Sequence, residues 1–460
     1  MHLIKPHVFA FFPMWTVLAL SNTPITLPNQ STQINPLDDS LVSSSASKSK
    51  SSFSQELERI ALTNSQKIPG SYSYRKAWRS WSNTGAKYIR EVLSQNLPHP
   101  VDDESTLDLE FQLGVAADNG IMPSFSDPGG RSGYVMDFFC RAFFLADLLS
   151  EVLFNEDKQN YHHEIFMSDV NDPVGKDAFA AHSDSSSSSL GQKLHRLFEP
   201  KNSKSNVHLI SIGGGPGYDF VAAALLVSYR NILQSQRKLL TLSPEATTTV
   251  RSTVFDYEEG WWDLVDCMAL ATQTVLPFPN QQSHNCCFGG KCDITKPLSH
   301  LSNQRMLQII QNEPDVSHLY VCQYCVAENA MKLRESQFVF FRELFHNANE
   351  GSLFIFTETT HRLWPEFVKE LQSISSNTHK NNDKSTDGKT NVDEFEVLFK
   401  QSKSRGGSSL WQMLIYKGKG SSISDDILQK CEEFSRDQRM HELKLAKGFV
   451  RQRKKNRGAK

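Results

Sequence analysis

The chain has 460 residues, 39% hydrophobic and 10% aromatic, which suffices for two domains or for one α/β domain with a helical addition and tails. With 22% charged residues and a formal net charge of −2, it reads as a globular protein with polar inserts, and a wholly disordered chain is excluded. Eight cysteines exclude a densely disulfide-stapled module and make a reducing compartment, nucleus, nucleolus or cytoplasm, the expectation.

In chain order, the first feature is the apolar run at residues 7–20 (HVFAFFPMWTVLAL), behind Lys5 and with Ala19 and Ser21 as small residues at its end. It has the length of a signal-peptide core, is too short to span a bilayer and is interrupted by Pro13. Residues 1–52 therefore read as a segment for organelle or secretory targeting or as a disordered tail, and no membrane association is expected once such a segment is removed. Ser, Thr, Asn and Pro dominate residues 22–54, a linker composition. Helical signals then take over in an accessory part spanning 53–200. Its first helix is expected to start at the capping-box pattern Ser52-Phe-Ser-Gln55, a second to cover Tyr74–Leu97, and a third, strongly apolar, Gly133–Leu153. Residues 168–192 form a Ser-rich insert.

From Val207 short apolar runs alternate with amphipathic stretches, the pattern of a parallel sheet covered by helices. Strands are expected at Val207–Ile212, Thr253–Tyr257, Cys286–Cys292, His318–Cys322, Ser352–Thr357, Phe395–Gln401 and Leu410–Tyr416. The last two, joined by Ser402–Ser408, can pair as an antiparallel hairpin. The fold class is thus α/β, a seven-stranded mostly parallel sheet with a terminal antiparallel hairpin. Polar stretches at 234–249 and 375–390 read as loops, and 418–460 as a helical basic tail.

The first strand runs straight into Gly213-Gly-Gly-Pro-Gly217 and an apolar helix, which presents backbone N–H groups to a ligand. A dinucleotide fingerprint fails, because its third glycine would fall on Tyr218 or Phe220, and no Gly-Lys-Ser/Thr closes a phosphate loop. The run LISIGGGPGYD resembles motif I of class I S-adenosylmethionine-dependent methyltransferases, over roughly residues 205–417. That resemblance implies a seven-stranded sheet, S-adenosylmethionine as cofactor, and cofactor contacts from Ser211, Gly213, Gly214, Gly215, Gly217 and Gln323. It also implies Asp256 for the ribose hydroxyls and Asp293 for the adenine amino group. Ser211 departs from the pattern, which has an acid there, and Asp219 can substitute. Trp261 and Trp262 either cover the adenine or anchor the core.

In such a fold the acceptor sits at the end of the fourth strand, where Tyr324 and Glu328 are candidates for orientation and proton transfer. After the fifth strand, Glu358, His361, Arg362 and Trp364 are candidate substrate contacts. Cys322 and Cys325 have the spacing of a zinc half-site, but Cys286, Cys287 and Cys292 belong to a strand that the family's strand order separates from theirs by two others, so no metal is expected. Residues 441–460 carry eight Lys/Arg against Glu442, a local charge of +7 that leaves about −9 for the rest of the chain. This tail suits RNA, and a weak similarity to eukaryotic ribosomal-RNA base methyltransferases points the same way. A small-molecule or protein methyltransferase, and a catalytically silent RNA- or protein-binding domain, remain the alternatives.

Overall fold

The apolar runs become seven strands: β1 (Lys204–Ile212), β2 (Thr247–Asp256), β3 (Asn285–Lys291), β4 (His318–Gln323), β5 (Leu353–Glu358), β6 (Glu396–Lys403) and β7 (Ser409–Tyr416). The computed structural model describes residues 43–65, 71–119, 123–153, 190–198, 204–238, 247–276, 284–378, 395–403, 409–418 and 423–458. The N-terminal apolar run, the Ser-rich insert up to residue 189, most of the 375–390 stretch and the loop between β6 and β7 fall outside these residues. Among the described residues no helix is long and apolar enough to cross a membrane.

The strands form one sheet in the order β3-β2-β1-β4-β5-β7-β6. β1 to β5 run parallel, while β7 is antiparallel to both β5 and β6. This is the architecture that the sequence implied. Strand order reverses between β1 and β4, and the crevice at their C-terminal ends is where open α/β sheets bind ligands. Every residue of β4 and β5 is buried, as strands covered on both faces must be.

Alternation along the strands builds two cores. Leu209, Val254, Val321 and Ile355 face one side, and Ile210, Ile212, Tyr320 and Phe356 face the other. The first side is covered by α7 (Tyr218–Lys238) and α8 (Trp262–Val275), and above them lie the N-terminal helices α1 (Ser43–Ser65), α2 (Ser71–Gln95) and α5 (Cys140–Leu153). Trp78, Trp81 and Leu149 share one apolar cluster with Leu209 and Val254, so the described N-terminal helices pack into the core of the sheet domain. On the second side pack α9 (Gln304–Asn312), α12 (Val339–Asn347), α13 (Trp364–Thr378) and the long α14 (Asp425–Gly458).

Two helix boundaries differ from expectation. α1 begins nine residues before Ser52, which therefore sits inside the helix and not at its start. The run Gly133–Leu153 is two helices, α4 (Pro128–Asp137) and α5. α4 has its own start, with Pro128 in the first turn and Asp127 accepting a bond from the Gly130 N–H, and Phe138 leaves helical geometry at φ −95°, ψ 10°. No proline or glycine marks that break in sequence. α4 rests closely on α3 (Asp103–Asn119): a Cβ built at Gly133 would lie 1.8 Å from the Thr106 hydroxyl. Gly133→Val is expected to overpack this contact and lower stability by about 1–3 kcal/mol, read from the urea midpoint at unchanged m.

Candidate functional site

At the end of β1 the chain reverses through Gly213, Gly215 and Gly217 with φ of +61°, +50° and +91°, a left-handed conformation that side chains disfavour. The turn is closed on itself by the Gly217 N–H donating to the Gly214 carbonyl at 3.0 Å, and on β2 by the Gly214 N–H donating to the Phe255 carbonyl at 3.2 Å. A side chain at Gly213 would strike the Cys325 sulfur at 2.1 Å, and one at Gly214 the Ser211 hydroxyl at 2.0 Å. Gly215 instead faces open space, its nearest neighbour being the Trp261 ring at 3.8 Å. The loop thus presents backbone to a cavity of about 280 Å³.

Asp256, the last residue of β2, lies across that cavity floor. Its Oδ2 accepts from the Gly215 N–H at 2.9 Å and its Oδ1 from the Glu258 N–H at 3.0 Å. Burial pushes the carboxyl up to about 6, against the pull of those two bonds. Each oxygen retains a free acceptor direction. Asp293, beyond β3, also lines the cavity, and its Oδ1 accepts from the Thr295 N–H at 2.9 Å and the Thr295 hydroxyl at 2.6 Å. It therefore both shapes its own turn and faces the cavity. Trp261 is buried in the cavity wall, whereas Trp262 is exposed.

Next to the glycine loop, and sharing Tyr134, Arg141 and Gln323 with the main cavity, lies a small lobe of about 20 Å³ that Tyr218 and Asp219 also line. Gln323 Nε2 and the Ser211 hydroxyl donate short bonds to the two oxygens of Asp219, whose carboxyl burial nonetheless raises to about 6. Ser211 is fully buried beneath Gly214 and does not reach the lobe, which corrects its expected contact. Asp219 holds that position, and Ser211 orients it from below.

After β4, Tyr324 adopts φ +65° and its N–H donates to the Thr357 carbonyl at 2.7 Å. That turns its ring away from the main cavity to lie under the Arg141 guanidinium, 4.1 Å from its carbon, so Tyr324 props Arg141 and does not itself face the cavity. Glu328, at the end of the short α10 (Cys325–Glu328), does face it beside Asn329. Burial pushes Glu328 up to about 7, while Arg141 pulls the other way.

The four residues expected to contact substrate after β5 are not on the cavity. Glu358 is buried and accepts from the Val326 and Ala327 N–H groups at 2.8 and 3.2 Å, capping α10, and burial raises it to about 8. His361 bonds the Ser435 hydroxyl at 2.9 Å and packs edge-on to Trp411, while Trp364 stacks near Phe434. Arg362 pairs with Glu442 at the surface, 3.3 Å apart. The physical reason is α14, which covers the rim after β5 with Phe434, Ser435 and Glu442.

What the sequence did not single out is the roof. Phe125, just before α4, Tyr134 on α4 and Arg141 on α5 close the cavity opposite the sheet. The Tyr218 hydroxyl donates to the Tyr134 and Val135 carbonyls, both at 3.1 Å, and so ties α4 to the glycine loop. Arg141 donates to the Tyr134 hydroxyl and lies over the rings of Tyr324, Phe138 and Tyr134; among the described residues it has no carboxylate partner. A lone arginine inside FFCRAFFLADLL was the available signal.

No protein-family profile and no curated relative matches the sequence. Solved structures do match. A methyltransferase dependent on S-adenosylmethionine from Methanosarcina mazei is 12% identical, covering 49% of this chain and 96% of its own, with a TM-score of 0.25. The precorrin-6Y C5,15-methyltransferase of Geobacter metallireducens is 9% identical over 52% of this chain and 94% of its own, with a TM-score of 0.24. Phosphoethanolamine N-methyltransferase 2 of Haemonchus contortus, solved with S-adenosyl-L-methionine, is 10% identical over 50% and 53%, with a TM-score of 0.21. Likeness this low leaves the cavity's own residues to decide the function.

Proposed function

We propose that the cavity binds S-adenosylmethionine and that the chain is a methyltransferase. The observation that carries this reading is the order of charges across two adjoining cavities that share Tyr134, Arg141, Gly213, Gly215 and Gln323 in their walls. At one end Asp256, bonded to the Gly215 N–H, offers two acceptor oxygens suited to a vicinal diol. At the other, the lobe sets the Arg141 guanidinium and the Asp219 carboxylate side by side, which suits the carboxylate and ammonium of an amino acid. Gln323 Oε1 and Asn329 Oδ1 are buried on the cavity without a protein donor, so a ligand donor would satisfy them. Asp293, on the same cavity, would suit an adenine amino group.

When bound, the cofactor would supply a methyl group already activated on a sulfonium. What remains for the chain is to hold the acceptor in line, exclude water with the roof of Phe125, Tyr134 and Arg141, and remove a proton. Glu328 is the group for that last task, because a carboxyl raised to about 7 is half ionised at neutral pH. The rate is expected to rise with pH through about 7, and Glu328→Gln to remove that limb and slow turnover about 100-fold. The same raised value has a stability consequence: the contribution of Glu328 is complete below its unfolded value near 4.3 and is lost as pH rises through about 7.

For the acceptor we propose RNA, on the strength of α14, which continues unbroken to Gly458 through the basic cluster between Lys444 and Arg457. Equilibrium dialysis of the purified chain with radiolabelled S-adenosylmethionine tests the first reading, and binding of one equivalent supports it. Labelled-methyl acceptance by an RNA pool, with RNA affinity and its salt slope both reduced on removing residues 445–460, supports the second. Transfer to metabolites or protein instead would replace it, and no cofactor binding would leave a silent binding domain.

A further inference from the structure

Far from the cavity, at the other end of the strands, two imidazoles and a carboxylate converge. His208 on β1 lies in register with His318 on β4 and with Arg251 on β2, and Glu313 follows α9 just before β4. His208 Nδ1 is 2.8 Å from Glu313 Oε2, and His318 Nε2 is 3.2 Å from the same oxygen. One ligand atom from each of the three residues lies within 4.8 Å of the others, and among the described residues no other group of three or more such side chains could hold a metal ion. Arg251 Nη2 sits among them, 2.8 Å from His208 Nδ1 and 2.6 and 2.7 Å from the two Glu313 oxygens.

These contacts conflict in their protons. If His208 Nδ1 carries hydrogen it bonds Glu313 but meets an Arg251 N–H donor head-on. If it is bare, it accepts from Arg251 but sets a lone pair against the carboxylate at 2.8 Å. No single protonation state satisfies every contact, whereas one cation accepted by all three groups does. Both histidines are buried, and each turns one ring nitrogen toward the same Glu313 oxygen. The far nitrogen of His208 lies 3.0 Å from the Thr253 hydroxyl, the outer contact that fixes a ligating tautomer.

We propose that His208, Glu313 and His318 form a zinc site, in which the Arg251 guanidinium takes the cation position when metal is absent and moves aside on loading. Two imidazoles and one carboxylate suit zinc over magnesium or calcium, which favour all-oxygen sets. Arg251 has a side chain 43% exposed and has solvent to move into. The site is about 16 Å along β1 from Gly213, taking five residues at ~3.3 Å each, so it lies apart from the cavity, ties β1 to β4 through three protein ligands and leaves the fourth position to water. It is independent of the methyltransferase reading.

The test is zinc titration of the chelator-stripped full chain against a competing indicator, with cobalt(II) absorption as a second readout. One equivalent of zinc is expected, absent in Glu313→Gln and bound at least about tenfold more tightly in Arg251→Ala, which removes the competing cation at an exposed position. Cobalt is expected to show a visible band without thiolate charge transfer, which separates this site from the eight cysteines. Unchanged stoichiometry in Glu313→Gln, unchanged or weaker affinity in Arg251→Ala, or a thiolate spectrum would each overturn the assignment.

Discussion

Gly215→Arg is expected to abolish S-adenosylmethionine binding, weakening it by more than about 100-fold, or ~2.7 kcal/mol, while the chain stays folded. The reason is the direction of the missing side chain. At Gly215 a Cβ meets nothing closer than the Trp261 ring at 3.8 Å, so a long side chain can enter the cavity without displacing protein. Its cost to folding is that of a left-handed residue at φ +50°, about 1–2 kcal/mol. Gly213 makes the contrast. There even an alanine meets the Cys325 sulfur at 2.1 Å, so Gly213→Ala disturbs β1 against α10 and is expected to lower stability along with binding. Calorimetric titration alongside urea unfolding separates the two: binding lost at near-normal stability for Gly215→Arg is the expected pattern. Retained binding would remove the glycine loop from the cofactor site.

The contrast between those two glycines also shows how far sequence carries. All seven strands were legible because buried strands write themselves as short apolar runs, and the loop because a strand feeding three glycines has few other uses. Asp256 was readable for the same reason, standing at a strand end whose position the sheet fixes. That the N-terminal helical part covers the site was readable, but which of its residues form the roof was not. Arg141 lies 72 residues before Gly213, and only tertiary packing brings α5 over the loop. Glu358, His361, Arg362 and Trp364, expected on the substrate side, are instead absent from the cavity lining. They occupy the correct rim, yet α14 returns from beyond residue 425 to cover them, and nothing local to their segment announces that helix. Likewise His208 and His318 are 110 residues apart and meet only because β1 and β4 are neighbours at the point where strand order reverses.

Arg141 permits the sharpest division of the cavity into its two ends. Arg141→Met keeps an unbranched side chain over Tyr324, Phe138 and Tyr134 but removes the cation from the lobe. If Arg141 binds the amino-acid carboxylate of the cofactor, S-adenosylhomocysteine should lose about 1.5–3 kcal/mol of affinity, roughly 10–150-fold. 5′-Methylthioadenosine, which lacks that carboxylate, should change by less than about twofold. Asp256→Ala should weaken both ligands, since both carry the ribose diol. Removing the guanidinium also withdraws a charge that holds the Glu328 and Asp219 carboxyls down, so the rising limb of the pH–rate profile should move to higher pH. Equal loss of both ligands in Arg141→Met would mean that the arginine only supports the roof, and the assignment of the lobe to an amino acid would fall with it.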